Sequence, residues 1–240
     1  MTNADSVPAR TQFFARTALL MVACALSSFP FTYFMPLTTG TRPFAALHHI
    51  HAAMFFAWLG LYVWQTRLAA TGRVARHREL GLLWLVVTGT MLPLGWWMAL
   101  YAARARIERG EANPFVFTFY NIVDISLFGL AVIGALVTIR RNVEWHRRFM
   151  FAAALNLVGP AISRWLIPLG NLPRWTDFAP NILADLFLIA LALHDRRQFG
   201  RVPAATLVAL LVMVPLHLIE PRIATTEWWA QAAPALLKFD

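Results

Sequence analysis

Two pairs of residues in this chain have the types and the spacing of metal ligands. His48 and His51 are three positions apart, and His217 and Glu220 repeat that spacing near the other end of the chain. Residues three apart share one face of a helix. Imidazole and carboxylate groups on adjoining helices are ligands for Zn²⁺, Fe²⁺ or Cu²⁺. The sequence therefore predicts one metal site formed by these four residues, with Asp124 as a further ligand within reach.

Two other histidines, His77 and His146, each precede an arginine and open an apolar segment. A low-spin haem needs two imidazoles from facing helices, and nearby arginines bind its propionates. The pair thus predicts haem b as the alternative cofactor. Histidines in basic loops also lie at the membrane interface or bind lipid phosphates, and we expect such an interfacial place for His194.

A second polar group lies within the apolar segments and consists of Asn121, Asp124, Arg164 and Asp185. Asp124 is about nine residues into its segment, or about 13 Å deep at the rise of a helix. Ionisable groups at such depth cost several kcal/mol unless they are paired or hydrated. We expect Arg164 to lie within hydrogen-bonding reach of Asp124 or Asp185. The second acid then keeps a charge that a proton, a cation or a substrate balances.

The elements that must position these residues are transmembrane helices. The chain is 59% hydrophobic and 14% charged, whereas a soluble domain has about 25% charged residues. Apolar segments of about 20 residues cross a bilayer as helices. The sequence predicts an all-α polytopic bundle, a single membrane domain over residues 1–240 with an interfacial tail at 223–240. Its seven spans are approximately 17–36, 47–66, 80–101, 115–139, 149–167, 178–194 and 204–220.

The distribution of arginines predicts the orientation of this bundle. Cytoplasmic loops of membrane proteins carry an excess of Lys and Arg. An N-terminus in the cytoplasm and a C-terminus outside put most of the 21 Lys and Arg residues on the inner side. The loops at 67–78 and 140–148 then face the cytoplasm and the loop at 102–114 faces out. Prolines within the spans predict kinks that open an internal polar space; these are Pro30, Pro93, Pro160 and Pro215.

Several classes of function are excluded by composition. The net charge of +9 comes from arginines in short loops between apolar segments, which sets membrane orientation and does not favour nucleic acid as a partner. Lys238 is the only lysine and lies outside every span, so a retinal Schiff base is impossible. Cys24 is the only cysteine, so there is no disulfide framework and no cysteine metal site. No glycine-rich phosphate loop precedes a helix, which gives nucleotide-driven transport no support.

A set of short motifs resembles a group of uncharacterised bacterial polytopic membrane proteins. The set runs over approximately residues 47–166 and comprises His48-His49-Ile50-His51-Ala52, Gly72-Arg73, His77-Arg78-Glu79-Leu80-Gly81 and His146-Arg147-Arg148-Phe149-Met150. This resemblance implies the bacterial inner membrane as the location. A looser similarity to transmembrane b-type cytochromes implies one haem between His77 and His146. It does not extend to a second haem, since His48 and His51 have no histidine partner in the fourth span.

These patterns favour one functional interpretation and leave two open. We expect a bacterial inner-membrane protein that binds a transition metal or haem and acts in redox or lipid-soluble substrate chemistry. The first alternative is a proton- or ion-coupled carrier that uses Asp124, Asp185 and Arg164. The second is an accessory membrane subunit in which the histidines have structural roles. The expected partners are the lipid bilayer and a lipid-soluble small molecule.

Overall fold

Every regular element in the described part of the chain is helical, as the sequence predicts. The computed structural model describes residues 9–166, 169 and 174–239. The α-helices are α1 (Ala9–Ser27), α2 (Met35–Thr39), α3 (Ala46–Ala70), α4 (Val74–Glu108), α5 (Val116–Thr138), α6 (Val143–Leu155), α7 (Gly159–Leu166), α8 (Ala179–Phe199), α9 (Ala204–Ile223) and α10 (Glu227–Ala232). A π-helical segment, Pro30–Phe34, joins α1 to α2, and 3₁₀ segments cover Arg174–Phe178 and Ala233–Phe239.

These helices form seven spans that are long and apolar enough to cross a membrane, which confirms the predicted polytopic bundle. Large apolar side chains on their outer surfaces are exposed, among them Leu82, Val137 and Leu211. Such surfaces are compatible with lipid and not with water, because lipid tails are as apolar as the side chains. The chain is therefore a membrane protein in contact with the bilayer.

One span is longer than expected, because α4 continues to Glu108 into the predicted loop at 102–114. Its last turns pack against the C-terminal segment. Ala103 is buried with Phe115, Trp229 and Ala233, and the indole Nε1 of Trp229 donates to the carbonyl of Phe115 at 2.9 Å. These contacts give the end of α4 an apolar face that the sequence pattern of 102–114 did not indicate.

Short loops make consecutive spans antiparallel, so the bundle has two ends with different residues. We call the end at which α3, α5 and α8 begin the His217 end, and the opposite end the His77 end. Helix α5 packs against α4 and α6, α8 against α7 and α9, and α1 against α3 and α6. Trp58 lies fully buried between α3, α4 and α5, and its indole Nε1 donates to Thr88 Oγ1 at 3.1 Å.

The fifth span is broken near its middle. Helix α6 ends at Leu155 and α7 begins at Gly159, with Pro160 in the first turn of α7. Proline has no amide hydrogen and therefore leaves the carbonyl four residues earlier without its helical bond. Non-helical backbone at membrane depth is tolerated where it is buried in protein or lines a cavity. Asn156, Leu157 and Pro160 all line a cavity at this break.

Candidate metal centre

Three buried side chains from two helices converge at the His217 end. Asp124 belongs to α5, and His217 and Glu220 belong to α9. One potential ligand atom from each lies within 4.8 Å of the corresponding atoms of the other two. The exposed fractions are only 6% for Asp124, 2% for His217 and 0% for Glu220. An imidazole and two carboxylates at this separation match the ligand set of a divalent transition metal. We call this group the metal centre.

Two residues of α8 hold the ligand side chains in place. Nδ1 of His217 hydrogen-bonds the two carboxylate oxygens of Asp185 at 2.9 and 3.0 Å. An ionised carboxylate only accepts, so Nδ1 carries the proton and Nε2 has the free lone pair. Asn181 Nδ2 donates to Glu220 Oε2 at 3.1 Å. Metal-binding histidines are typically oriented by a carboxylate in this way, and metal-binding carboxylates by a hydrogen-bond donor.

Each of these three residues has one buried side-chain atom that makes no bond. His217 Nε2, Glu220 Oε1 and Asp124 Oδ1 have no hydrogen-bond partner among the described residues. Buried polar atoms without partners are rare in native proteins, and each costs about 1–3 kcal/mol. A single ion bound by all three atoms would remove that cost. A divalent cation fits because it accepts the lone pairs of all three and balances the charges of two carboxylates.

Helical spacing and one glycine explain how two side chains of α8 contact the residues of the metal centre. Asn181 and Asp185 are four residues apart, and His217 and Glu220 are three apart, so each pair lies on one face of its helix. Gly159 starts α7 opposite Asn181. A Cβ atom at position 159 would lie 2.1 Å from the Asn181 side-chain oxygen. The absence of a side chain at Gly159 therefore allows Asn181 to approach Glu220.

A cavity of about 150 Å³ lies beside Asp124. Its apolar lining includes Met54, Phe55, Met91, Leu94 and Met98, and its polar lining consists of His51, Asn121, Asp124, Asn156 and Arg164. The side-chain oxygen of Asn156 is buried and has no hydrogen-bond partner. An apolar cavity with a few convergent polar groups is typical of a small-molecule site.

The structure changes the set of ligands expected from the sequence. His217 and Glu220 are brought together, but with Asp124, and among the described residues His48 and His51 do not join the group. His51 lines the cavity. The ring of His48 instead packs edge-on against Tyr101 at 5.3 Å. The physical reason is that α3 packs against α1 and α4, while α9 packs against α5, α6 and α8.

The expected ion pair of Arg164 is also absent from the described contacts. Asn121, Asp124 and Arg164 line the same cavity, but Asp185 is bound to His217. The Arg164 guanidinium donates from Nη1 to the carbonyl of Pro160 at 2.9 Å and lies 5.0 Å from the centre of the Phe29 ring. Pro160 lies four residues before Arg164, so the arginine side chain folds back along α7 onto a carbonyl of its own helix.

At the opposite end, the rings of His77 on α4 and His146 on α6 lie close to each other. Their ring centres are 6.5 Å apart and their planes are nearly perpendicular, at 84°. Nδ1 of His77 bonds to the carbonyl of Gln65 at 3.2 Å, and Nδ1 of His146 to the carbonyl of Ala135 at 3.0 Å. A carbonyl only accepts, so each Nδ1 carries the proton and each Nε2 has a free lone pair. The third histidine of this end, His194, stacks on Phe13 at 4.0 Å.

Sequence reasoning missed a second buried polar group, which we call the Arg148 cluster. Arg148 is 1% exposed and Asp195 is fully buried. The guanidinium donates from Nε to Asp195 and Thr206 at 2.9 and 3.0 Å, from Nη1 to Glu144, and from Nη2 to Asp195. The roles of Asn181 and Asp185 in orienting His217 and Glu220 were missed as well. The sequence signals for them were the position of Asp185 within an apolar segment and the spacing of four residues between Asn181 and Asp185 on one helix.

Comparison with known proteins adds no family to these observations. No family model, no curated protein and no solved structure matches the chain. The functional proposal therefore depends only on the geometry of the sites.

Proposed function

We propose that this protein binds a divalent transition metal at Asp124, His217 and Glu220 and uses it on a small molecule that enters from the membrane. The observation that carries the proposal is the convergence of these three buried side chains, each of which has a polar atom without a hydrogen-bond partner in the described part of the chain. Asp185 and Asn181 occupy the positions of orienting residues. Sites with three protein ligands keep a position open for water or substrate, as catalytic metal sites do.

The ligand types narrow the choice of metal. Oxygen ligands and one imidazole suit Zn²⁺, Fe²⁺ or Mn²⁺, whereas Cu(I) prefers thiolate and thioether ligands. Two carboxylates neutralise a divalent ion, which lowers the free-energy cost of burying that ion in a bilayer. The bound metal would act as a Lewis acid on a group in the adjoining cavity.

The direct test is metal content. The purified protein is treated with a chelator, loaded in turn with Zn²⁺, Mn²⁺ and anaerobic Fe²⁺, desalted, and analysed by mass spectrometry for bound metal. We expect one ion per chain for at least one metal, and its loss in Glu220→Gln and His217→Ala. His194→Gln is the matched control, because it removes a histidine at the other end of the bundle. Wild-type protein without metal, or Glu220→Gln with full metal, would overturn the proposal.

A carrier using the same carboxylates is the alternative that this test must separate. In a carrier the metal crosses the bilayer, whereas in a metal-dependent enzyme it stays bound. Vesicles containing the protein and a metal-sensitive dye distinguish these cases. Retained metal with no dye response supports the proposal, while metal-driven dye response that Glu220→Gln abolishes supports the carrier instead.

A second proposal concerns haem b at His77 and His146, and it rests on their separation. Two imidazoles on opposite sides of one iron, each with its nitrogen about 2 Å from the metal, have ring centres roughly 6.5 Å apart. The observed distance is 6.5 Å, and both Nδ1 atoms bond to backbone carbonyls. Arg78 and Arg147 adjoin the two histidines and would bind the propionates.

Visible absorbance tests the haem proposal independently of the metal centre. Protein from cells supplied with a haem precursor should have a Soret band that both His77→Ala and His146→Ala remove and His194→Gln keeps. A colourless wild-type protein would overturn it, as would a band that survives the removal of both histidines.

The cellular location is proposed from the arginine pattern and from the resemblance to bacterial membrane proteins. We infer an inner-membrane protein with its N-terminus in the cytoplasm. In a chain with Cys24 replaced, single cysteines at 72 and at 110 report the two sides. An impermeant thiol reagent added to intact cells should label only position 110, and labelling of position 72 alone would reverse the orientation.

A further inference from the structure

The cavity beside the metal centre contains a positive charge, that of Arg164, which has no carboxylate partner among the described residues. Arg164 lines it, and the contacts of its guanidinium among the described residues are the Pro160 carbonyl and the face of Phe29. A guanidinium has five N–H donors in a planar fork that matches an oxyanion. One donor is used here, so the others are free to bind a ligand. An arginine at membrane depth is costly without a partner, and the cavity is where such a partner would enter.

The rest of the lining fits a molecule with a small apolar body. The volume of about 150 Å³ is that of a cavity that accommodates benzene. Met54, Phe55, Met91, Leu94 and Met98 provide its apolar surface, and methionine side chains adapt to irregular ligands. The amides of Asn121 and Asn156 add hydrogen-bonding groups. A whole phospholipid is too large for this space.

We propose that the cavity binds a small carboxylate with an apolar substituent, held by Arg164 and presented to the metal. This inference rests on the proposed metal centre, because the metal determines the sign of the local charge. Without the metal, Asp124, Asp185 and Glu220 place three acidic groups near the site, and Arg164 is the only cation that the described lining offers to an anion. A divalent ion balances two of these charges, so Arg164 becomes available to a carboxylate.

The test uses benzoate as the probe and benzamide as its neutral isostere. The protein is loaded with Co²⁺, whose visible spectrum responds to ligands near the metal, and the cobalt content is measured first. We expect a saturable spectral change with benzoate, at a dissociation constant at least tenfold lower than that for benzamide. Metal-free protein should bind benzoate at least tenfold more weakly in equilibrium dialysis.

Variants of Arg164 test whether its positive charge causes the preference for benzoate. Arg164→Gln should keep its cobalt and lose the preference for benzoate over benzamide, whereas Arg164→Lys should keep part of it. Arg222→Gln is the matched control, because it removes an exposed arginine at the same end. Retained cobalt in every variant also shows that the bundle is folded. Ala99→Leu, which fills the cavity from its buried wall, should weaken both probes equally.

The possible failures are distinguishable. Wild-type protein that takes up no cobalt would overturn the metal centre and this inference together. Full cobalt with no preference for benzoate, or an unchanged preference in Arg164→Gln, would overturn this inference and leave the metal centre standing. Equal benzoate binding with and without metal would also overturn it.

Discussion

The metal centre and the Arg148 cluster both have buried charged residues at their centres but differ in how completely their polar atoms are bonded. Each guanidinium nitrogen of Arg148 donates to an oxygen of Asp195, Thr206 or Glu144. In the metal centre, by contrast, each of the three converging side chains has an atom without a hydrogen-bond partner among the residues that the structure describes. A fully bonded buried network fixes how helices pack, because each of its members is satisfied. An incompletely bonded one indicates a ligand, and this difference separates a structural role from a functional role.

The largest expected effect comes from breaking the Arg148 cluster. Arg148→Met leaves Asp195 buried without its charged partner, and we expect the free energy of unfolding to fall by about 3–5 kcal/mol. Thermal unfolding in detergent measures the loss. Arg141→Met, in the exposed loop before α6, is the control and should change little. If the variant is as stable as the wild type, the complete hydrogen bonding of the Arg148 cluster does not indicate a structural role.

A smaller effect is expected from the residue that orients His217. Asp185→Asn keeps the shape of the side chain but weakens its hydrogen bond with Nδ1, which should lower metal affinity about 10–100-fold. Competition with a fluorescent chelator measures the dissociation constant. Glu227→Gln, an exposed acid near the same end, should leave it unchanged. An unaltered affinity in Asp185→Asn would contradict the role assigned to this pair.

An Asp→Asn substitution should change the stability of the protein in opposite directions in the two regions. In metal-free protein, Asp124→Asn removes a buried acidic group that lies near two others, and we expect stability to rise by about 1 kcal/mol. Asp195→Asn removes the charge that Arg148 requires and should lower stability. Both are measured by unfolding after treatment with a chelator. Two changes of the same sign would remove the distinction between the regions.

The smallest expected effect tests the approach of Asn181. Gly159→Ala places a methyl group against the Asn181 oxygen, so the side chain must rotate away from Glu220. We expect metal affinity to fall several-fold, by about 1 kcal/mol for one lost hydrogen bond. Asn181→Ala should have a similar effect, and the two together should lose no more than either one alone. Additive losses in the double variant would show that the glycine acts elsewhere.

The position of a residue along the chain predicted at which end of the bundle it lies. It did not predict which residues at that end are in contact. His217 and Glu220 could be paired from their spacing alone. Arg164 was expected to bind Asp124 or Asp185, whereas Asp124 lies near Glu220 and His217, and Asp185 bonds to His217. The choice depended on helix packing, because α5 and α8 pack against α9 whereas α3 packs against α1 and α4. No spacing within a single helix contains that information.

The sequence by itself determined that the chain is a bundle of seven apolar helices, because hydrophobic segments of that length have no other stable arrangement in a bilayer. It also indicated that polar residues deep in these helices need partners. The tertiary structure alone decided the partners. It placed Asp185 on His217, turned the Arg164 side chain back onto the carbonyl of Pro160, and brought Asp124 beside His217 and Glu220. Which groups meet is set by the rotation and contact of whole helices, and these depend on side chains from many parts of the chain at once.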